Sequence, residues 1–267
     1  MIAPPAALVP IADPLAPVRE TLVQMAARPN APAIHGIAPG LTVVDPRGWV
    51  PASDLVAGVG LDDLLASAAQ RWQAAPHAAA ALAWKSYSFW LALPAVLGYA
   101  AARRVPLLRP DSVLVRWSTR QPFLTIGLTS AVEVAILPND PLALSGAASA
   151  AGIRVVPHEP ALLDVLRGAL VDEHLTPLLD QIRGRTHVGR RTLWGSLASG
   201  VAHGLSRAAD VVPGPTLATA EQVLASLGVG DLVELAPREG GLEVRRKTCC
   251  LAFTLPQPKV CAGCCIS

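Results

Sequence analysis

From Ala78 to Arg104, apolar residues fall on most sides of a helix drawn through them, the pattern of a buried helix rather than an amphipathic one. Pro94 lies inside this stretch and predicts a kink, because proline removes one backbone donor and clashes one turn back. Arg103-Arg104 and then Pro106 mark its end, a positive last turn followed by a residue that cannot continue a helix. Upstream, Val18 to Ala27 predicts a first helix closed by Arg28-Pro29-Asn30-Ala31-Pro32. Residues 30–58 are broken by Pro and Gly into loop with short strands. Leu61, Leu64, Leu65 and Ala68 recur at helical spacing, so Asp62 to Trp72 predicts a helix that breaks at Pro76.

Beyond Pro106 the texture changes. Ser112 to Trp117, Pro122 to Leu128 and Val132 to Leu137 are short β-rich runs divided by turn residues, the signature of a strand meander, and Ile153 to Val156 adds one more strand. Helical patterns return at Pro160 to Gly184, Arg190 to Ala209 and Leu217 to Leu227, the last ended by Gly228. Leu232 to Leu235 and Leu242 to Arg246 predict a hairpin around Arg238-Glu239-Gly240-Gly241, and Leu251 to Leu255 a further strand. The fold class is therefore α/β of the mixed α+β kind: helices around a small, mostly antiparallel sheet, with a cysteine-rich tail. The pattern divides the chain into a loosely ordered Pro/Ala-rich segment 1–17, an α/β part 18–158, a helical part 159–241 and a C-terminal segment 242–267.

Composition narrows the function classes. A chain of 267 residues buries a core without crosslinks, and its net charge of +2 lacks the dense basic face that general nucleic-acid binding requires. The 52% hydrophobic content reflects alanine, leucine and valine, and the longest uncharged apolar stretch, Ser86 to Ala102, carries serines, tyrosines, Pro94 and Gly98. That stretch reads as a buried helix rather than a transmembrane one. The start, Met1-Ile2-Ala3-Pro4-Pro5, has no basic region ahead of an apolar run, so a reducing cytoplasm is expected, with peripheral contact to the inner membrane compatible.

Chemistry concentrates at one end. All five cysteines lie in the last nineteen residues: Cys249-Cys250, ten residues, Cys261-Ala262-Gly263-Cys264, then Cys265. An odd count and unspaced neighbours argue against disulfides. Converging thiolates form a soft-ligand cage for either a zinc ion or an iron–sulfur cluster, and a thiol group this dense is an oxidation liability unless a metal occupies it. Zinc sites usually present two spaced knuckles, whereas only Cys261 and Cys264 form one here. Adjacent cysteines in an extended strand point to opposite faces, so Cys249 and Cys250 reach one site only where the chain bends. Two irons offer more separated ligand positions than one zinc, which tilts the geometry toward [2Fe–2S] and leaves zinc open.

The string Arg245-Arg246-Lys247-Thr248-Cys249-Cys250-Leu251-Ala252-Phe253-Thr254-Leu255-Pro256, followed by Cys261-Ala262-Gly263-Cys264, resembles the C-terminal signature of FhuF-type ferric siderophore reductases, Cys-Cys-x10-Cys-x2-Cys. Trp84-Lys85-Ser86-Tyr87 with Arg104-Val105-Pro106-Leu107, and His174 to Leu178 with Leu193 to Ser199, are similar to helical segments of that family. The resemblance implies that Cys249, Cys250, Cys261 and Cys264 hold a [2Fe–2S] cluster. It implies one-electron reduction of a cytoplasmic Fe(III)-siderophore of hydroxamate type, releasing Fe(II) for assimilation. Cys265 departs from the pattern, as a free neighbour or as a ligand in place of Cys264.

Other candidates are weaker. Arg245, Arg246 and Lys247 either offset cluster charge and dock an anionic chelate or an acidic donor, or form a solvated strand edge. His174, His187 and His203 read as ordinary hydrogen-bonded or solvated histidines before substrate-facing ones. Trp194, Trp84, Tyr87, Phe89 and Trp90 read as core before pocket. Gly58-Val59-Gly60 lacks the rest of a dinucleotide turn and no P-loop occurs, so electrons are expected from a separate donor such as a ferredoxin or a flavin reductase. The rival readings are a non-redox module with structural zinc and an iron–sulfur carrier serving another protein.

Overall fold

The computed structural model describes residues 13–29, 33–145, 152–261 and 263–265. Residues 1–12 of the Pro/Ala-rich segment lie outside that range. The fold is mixed α and β, as the pattern predicts, with helices around small sheets whose pairings are mostly antiparallel.

Helix α1 (Ala16–Ala27) leads through β1 (Ile37–Thr42) and β2 (Val50–Pro51) to α2 (Ala52–Val56) and α3 (Leu61–Trp72). The central element is α4 (Pro76–Ala102), against which α1, α3 and α8 (Arg190–Ala208) pack. Pro76 at the first helical position is preset for helix entry. Arg103, in the left-handed region at φ 54°, closes the far end by donating its N–H to the Tyr99 carbonyl at 3.0 Å. The helix continues through Pro94 without a break. Gly98 lets the chain fold back on itself, since a Cβ there would lie 2.2 Å from the Arg104 carbonyl oxygen.

After β3 (Val105–Pro106) come β4 (Val113–Trp117), β5 (Leu124–Leu128) and β6 (Val134–Ile136). The first two pair antiparallel, in a sheet ordered β1-β5-β4-β2. The third leaves the predicted meander. β6 joins a second sheet between β3 and β7 (Ile153–Val155), antiparallel to the former and parallel to the latter. All three β6 residues are buried, so the strand must be covered on both faces, as a central strand is and a meander edge is not. Asp140 ties this region down. It caps α5 (Pro141–Leu144) by accepting from the Leu142 N–H at 2.8 Å and accepts two bonds from Arg104, at 2.7 and 2.9 Å.

The helix predicted over Pro160 to Gly184 is three elements in series: α6 (Glu159–Arg167), a π-helical segment (Gly168–Leu175) and α7 (Thr176–Arg185). The wider turn carries Leu170, Val171, His174 and Leu175 into the interior. After α8 and α9 (Thr216–Ser226), the hairpin of β8 (Val233–Arg238) and β9 (Gly241–Arg246) lies on α8. Ser206 on α8 accepts from the Leu242 N–H at 2.8 Å.

Among the described residues one apolar core runs from Leu15 to Val244. A second, small cluster stands apart: Leu82, Cys250, Ala252 and Leu255, with Trp72, Ala74 and Cys261 packed against it. The strand predicted over Leu251 to Leu255 is instead a single 3-10 turn, Ala252–Thr254. Leu251 enters it at φ 63°, a left-handed conformation no strand contains, and its carbonyl accepts both the N–H and the hydroxyl of Thr254, at 3.0 and 2.7 Å. Among the described residues no helix is long and apolar enough to cross a membrane.

Candidate functional site

Strand β9 alternates buried and exposed side chains, and this register buries Arg246 while Arg245 and Lys247 face solvent. Only 3% of Arg246 is exposed. Its guanidinium donates to the Thr248 carbonyl at 3.2 Å and to Ser196 Oγ of α8 at 3.0 Å. Among the described residues no carboxylate pairs with it. Lys247 instead makes an exposed pair with Glu234 at 3.5 Å.

Two backbone contacts gather the cysteines. The Arg246 N–H donates to the Gly263 carbonyl at 2.9 Å, so the return segment lies alongside the strand that leads into Cys249. Only glycine permits this approach: Gly263 has φ 72°, and a Cβ on it would sit 1.9 Å from the Val244 carbonyl oxygen. On the other flank Thr248 lies flat on α8, where a Cβ at Gly195 would be 1.8 Å from Thr248 Oγ1. The left-handed Leu251 turns the chain directly after the Cys249-Cys250 pair, and its N–H donates to Cys249 Sγ at 3.3 Å.

Cys250 Sγ and Cys261 Sγ stand 3.9 Å apart. Cys250 and Cys264 are buried, Cys249 and Cys261 are half-buried, and Cys265 is exposed. Burial pushes the Cys250 thiol up, but the Ala252 N–H, the charges of Lys85 and Arg246 and the contact with Cys261 outweigh it, leaving the thiol below its ordinary value. Cys261 is raised, by burial first and then by the charge of Cys250. Cys265 is raised by burial and then by the charges of Cys249 and Cys264. Among the described residues no three of His, Cys, Asp and Glu converge tightly enough to hold a single metal ion.

The remaining sequence candidates separate. His174 is fully buried, with Nε2 2.7 Å from the Tyr87 hydroxyl and Nδ1 2.7 Å from the Leu108 carbonyl, remote in role from the thiols. His187 is exposed. Trp84 and Tyr87 belong to the core, Trp84 donating to the Leu193 carbonyl at 2.7 Å. Phe89, Trp90 and His203 line a cavity between α4 and α8, and Trp194 lines a separate hollow beside Val229. Lys85, Gly195 and Thr248 entered the sequence reading only within the segments that carry the resemblance, with no role of their own. Lys85 had a signal, being the one Lys, Arg, Asp or Glu within α4. The other two matter through a contact between distant segments, for which the sequence has no local mark.

A scan against protein-family models finds no match for the chain, and a search of curated proteins finds none either.

Proposed function

We propose that this protein reduces ferric siderophores, with Cys249, Cys250, Cys261 and Cys264 as the ligands of a [2Fe–2S] cluster. The carrying observation is the close pair of thiols, Cys250 and Cys261, beside a buried arginine that has no carboxylate partner among the described residues. A buried cation held only by neutral acceptors is costly, and an anionic thiolate centre next to it removes that cost. The donor set fits the group. The 3.9 Å separation of Cys250 and Cys261 suits two sulfurs on one tetrahedral metal, where bonds of about 2.3 Å place them about 3.8 Å apart. Thr248 Oγ1, immediately ahead of the first ligand, is buried against α8 with no partner among the described residues.

When bound, such a cluster supplies one electron at a time. The chain's own residues set the surroundings. Lys85 and Arg246 offset negative charge, the Leu251 N–H donates to Cys249 Sγ, and Leu82, Ala252 and Leu255 exclude water from Cys250. The substrate iron gains one electron and becomes Fe(II), which hard hydroxamate or catecholate oxygens hold far more weakly than Fe(III), so the metal leaves. The electron comes from a separate donor, a ferredoxin or a flavin reductase. A cytoplasmic location belongs to this same reading.

The test is spectroscopic. Anaerobically purified protein is expected to be coloured, to carry two irons per chain and to give a one-electron EPR signal with dithionite. Mixed with a ferric trihydroxamate and a ferrous trap, the reduced protein is expected to release iron. A colourless protein with one zinc would establish the structural-zinc alternative. An intact cluster without iron release from any chelate would make the protein a carrier.

A further inference from the structure

Between α4, α8 and the end of α3 lies a cavity of about 370 Å³, within the range of small-molecule sites. Three of its walls reach the thiol site. Trp72 packs against the small cluster that holds Cys250 and Cys261. Lys85 acts electrostatically on both of those thiols. Ser196 accepts from Arg246, which in turn donates to the Thr248 carbonyl one residue before Cys249. The cavity therefore opens next to the thiol-bearing segment, on the side where α4 presents its only formally charged residue.

The lining fits an amphipathic solute. Trp72, Phe89 and Trp90 offer aromatic faces, while Ser86 and Ser199 offer hydroxyls. The charge is one-sided: Lys85 lines the cavity and, among the described residues, no carboxylate does. His203 on the opposite wall is held below the usual imidazole range, by burial first and then by the cations Lys85, Arg246 and Arg238. Three cations thus act on one wall.

We infer that this cavity seats the ferric chelate beside the thiol site and selects chelates of zero or negative charge over cationic ones. The inference rests on the reductase reading and adds to it a location and a selectivity. The volume takes the iron-bearing head of a chelate, with a larger chelator backbone lying against the aromatic rim.

Gallium(III) chelates test the seat without electron transfer, because Ga(III) keeps the charge and coordination of Fe(III) and is not reduced. A neutral Ga(III) trihydroxamate, a trihydroxamate carrying a free ammonium, and a trianionic Ga(III) tris-catecholate are titrated into the protein as isolated, read by quenching of tryptophan fluorescence and by calorimetry. The neutral and anionic probes are expected to bind, and the cationic one to bind about tenfold more weakly. Ser86→Trp, at a half-buried lining position, is expected to weaken all binding at least about tenfold by filling the space. Lys85→Gln is expected to shrink the gap between cationic and neutral probes. Equal affinity for the cationic probe overturns the selectivity, and unchanged binding in Ser86→Trp overturns the location. If no probe binds, the seat is refuted. Ferrous release by the dithionite-reduced protein, equal in wild type and Ser86→Trp, would then leave the reductase reading standing, whereas absence of release would remove that too.

Discussion

The α4–α8 core and the segment from Lys247 to Cys265 are built on opposite principles. In the core, apolar residues fill both helices and the large polar groups are mostly matched inside the protein: Trp84 to Leu193, Tyr87 to His174, His174 to Leu108 and Ser196 to Thr192. The cysteine segment has one short 3-10 turn and contributes three residues, Cys250, Ala252 and Leu255, to a small apolar cluster completed by Leu82 of α4. Particular contacts position it instead: the close approach at Gly263, the flat seat at Gly195 and a buried Arg246. It also holds one of the two buried side-chain polar atoms left without a partner among the described residues, Thr248 Oγ1, the other being Ser88 Oγ of α4. The lesson is that the core is specified by what it buries, whereas the tail is specified by where the chain can approach itself.

The largest expected effect lies in the core and appears with pH. Burial holds the His174 imidazole down at about 4, against the opposing influence of its bond to Leu108 and the charge of Asp111, while the ordinary value is 6.5. Between those values the unfolded chain binds a proton that the folded one refuses. Stability must therefore fall as pH drops from 6.5 toward 4, by about 3 kcal/mol in all, and change no further on this account below that. Urea unfolding at a series of pH values measures the slope. His174→Gln, which keeps hydrogen-bonding groups and cannot charge, is expected to flatten it. An unchanged slope in the variant would mean that His174 is not the buried neutral group the core requires.

A smaller global effect with a sharp local one is expected at the boundary. In Gly195→Ala the new methyl would displace Thr248, 1.8 Å away, while alanine strengthens α8 by about 1 kcal/mol. Overall unfolding should stay within about 1 kcal/mol of wild type. The buried thiols of Cys250 and Cys264, by contrast, should become several-fold more reactive toward a thiol reagent in metal-free protein. Adding Thr248→Ala should restore protection by making room. If Gly195→Ala leaves thiol reactivity unchanged, the tail is not seated on α8 in the way the contact demands.

These contrasts explain what was legible in the sequence. The helical periodicities of Leu61 to Ala68 and the stop at Arg103-Arg104 and Pro106 are local signals, and the structure ends α3 and α4 where they direct. The hairpin around Glu239-Gly240 is likewise local. The sheet change at β6 was hidden, because a three-residue apolar run carries no information about which neighbours will cover it. Leu251 misled for a different reason. Its neighbours have strand composition, yet Leu251 takes the left-handed conformation, which a run of strand-forming residues does not announce. The cysteine spacing itself was plain. The supports at Gly195 and Thr248 depend on long-range packing and became visible only once the segments were in contact, whereas Lys85 was marked in the sequence as the lone charge within α4.

The smallest effect is the most discriminating, since it opposes the two principles at one atom. Thr248→Val replaces a buried hydroxyl that has no protein partner with a methyl of nearly the same shape. In a core of satisfied polar groups such a change costs stability, because a partner is left unpaired. Here no partner among the described residues is orphaned, so metal-free protein should be as stable as wild type or more stable by up to about 1 kcal/mol in urea unfolding. On the proposed reading, protein carrying a cluster should respond differently. If the hydroxyl donates to a ligand sulfur, its removal withdraws a hydrogen bond that favours the reduced, more negative centre, and the midpoint potential should fall. A loss of more than about 1 kcal/mol in the metal-free protein would show that Thr248 has a partner within the chain, making this segment a continuation of the core. Unchanged stability with a lowered potential would show that the hydroxyl is kept for the centre the thiols hold, and that the tail's polar groups are arranged for an occupant rather than for the fold.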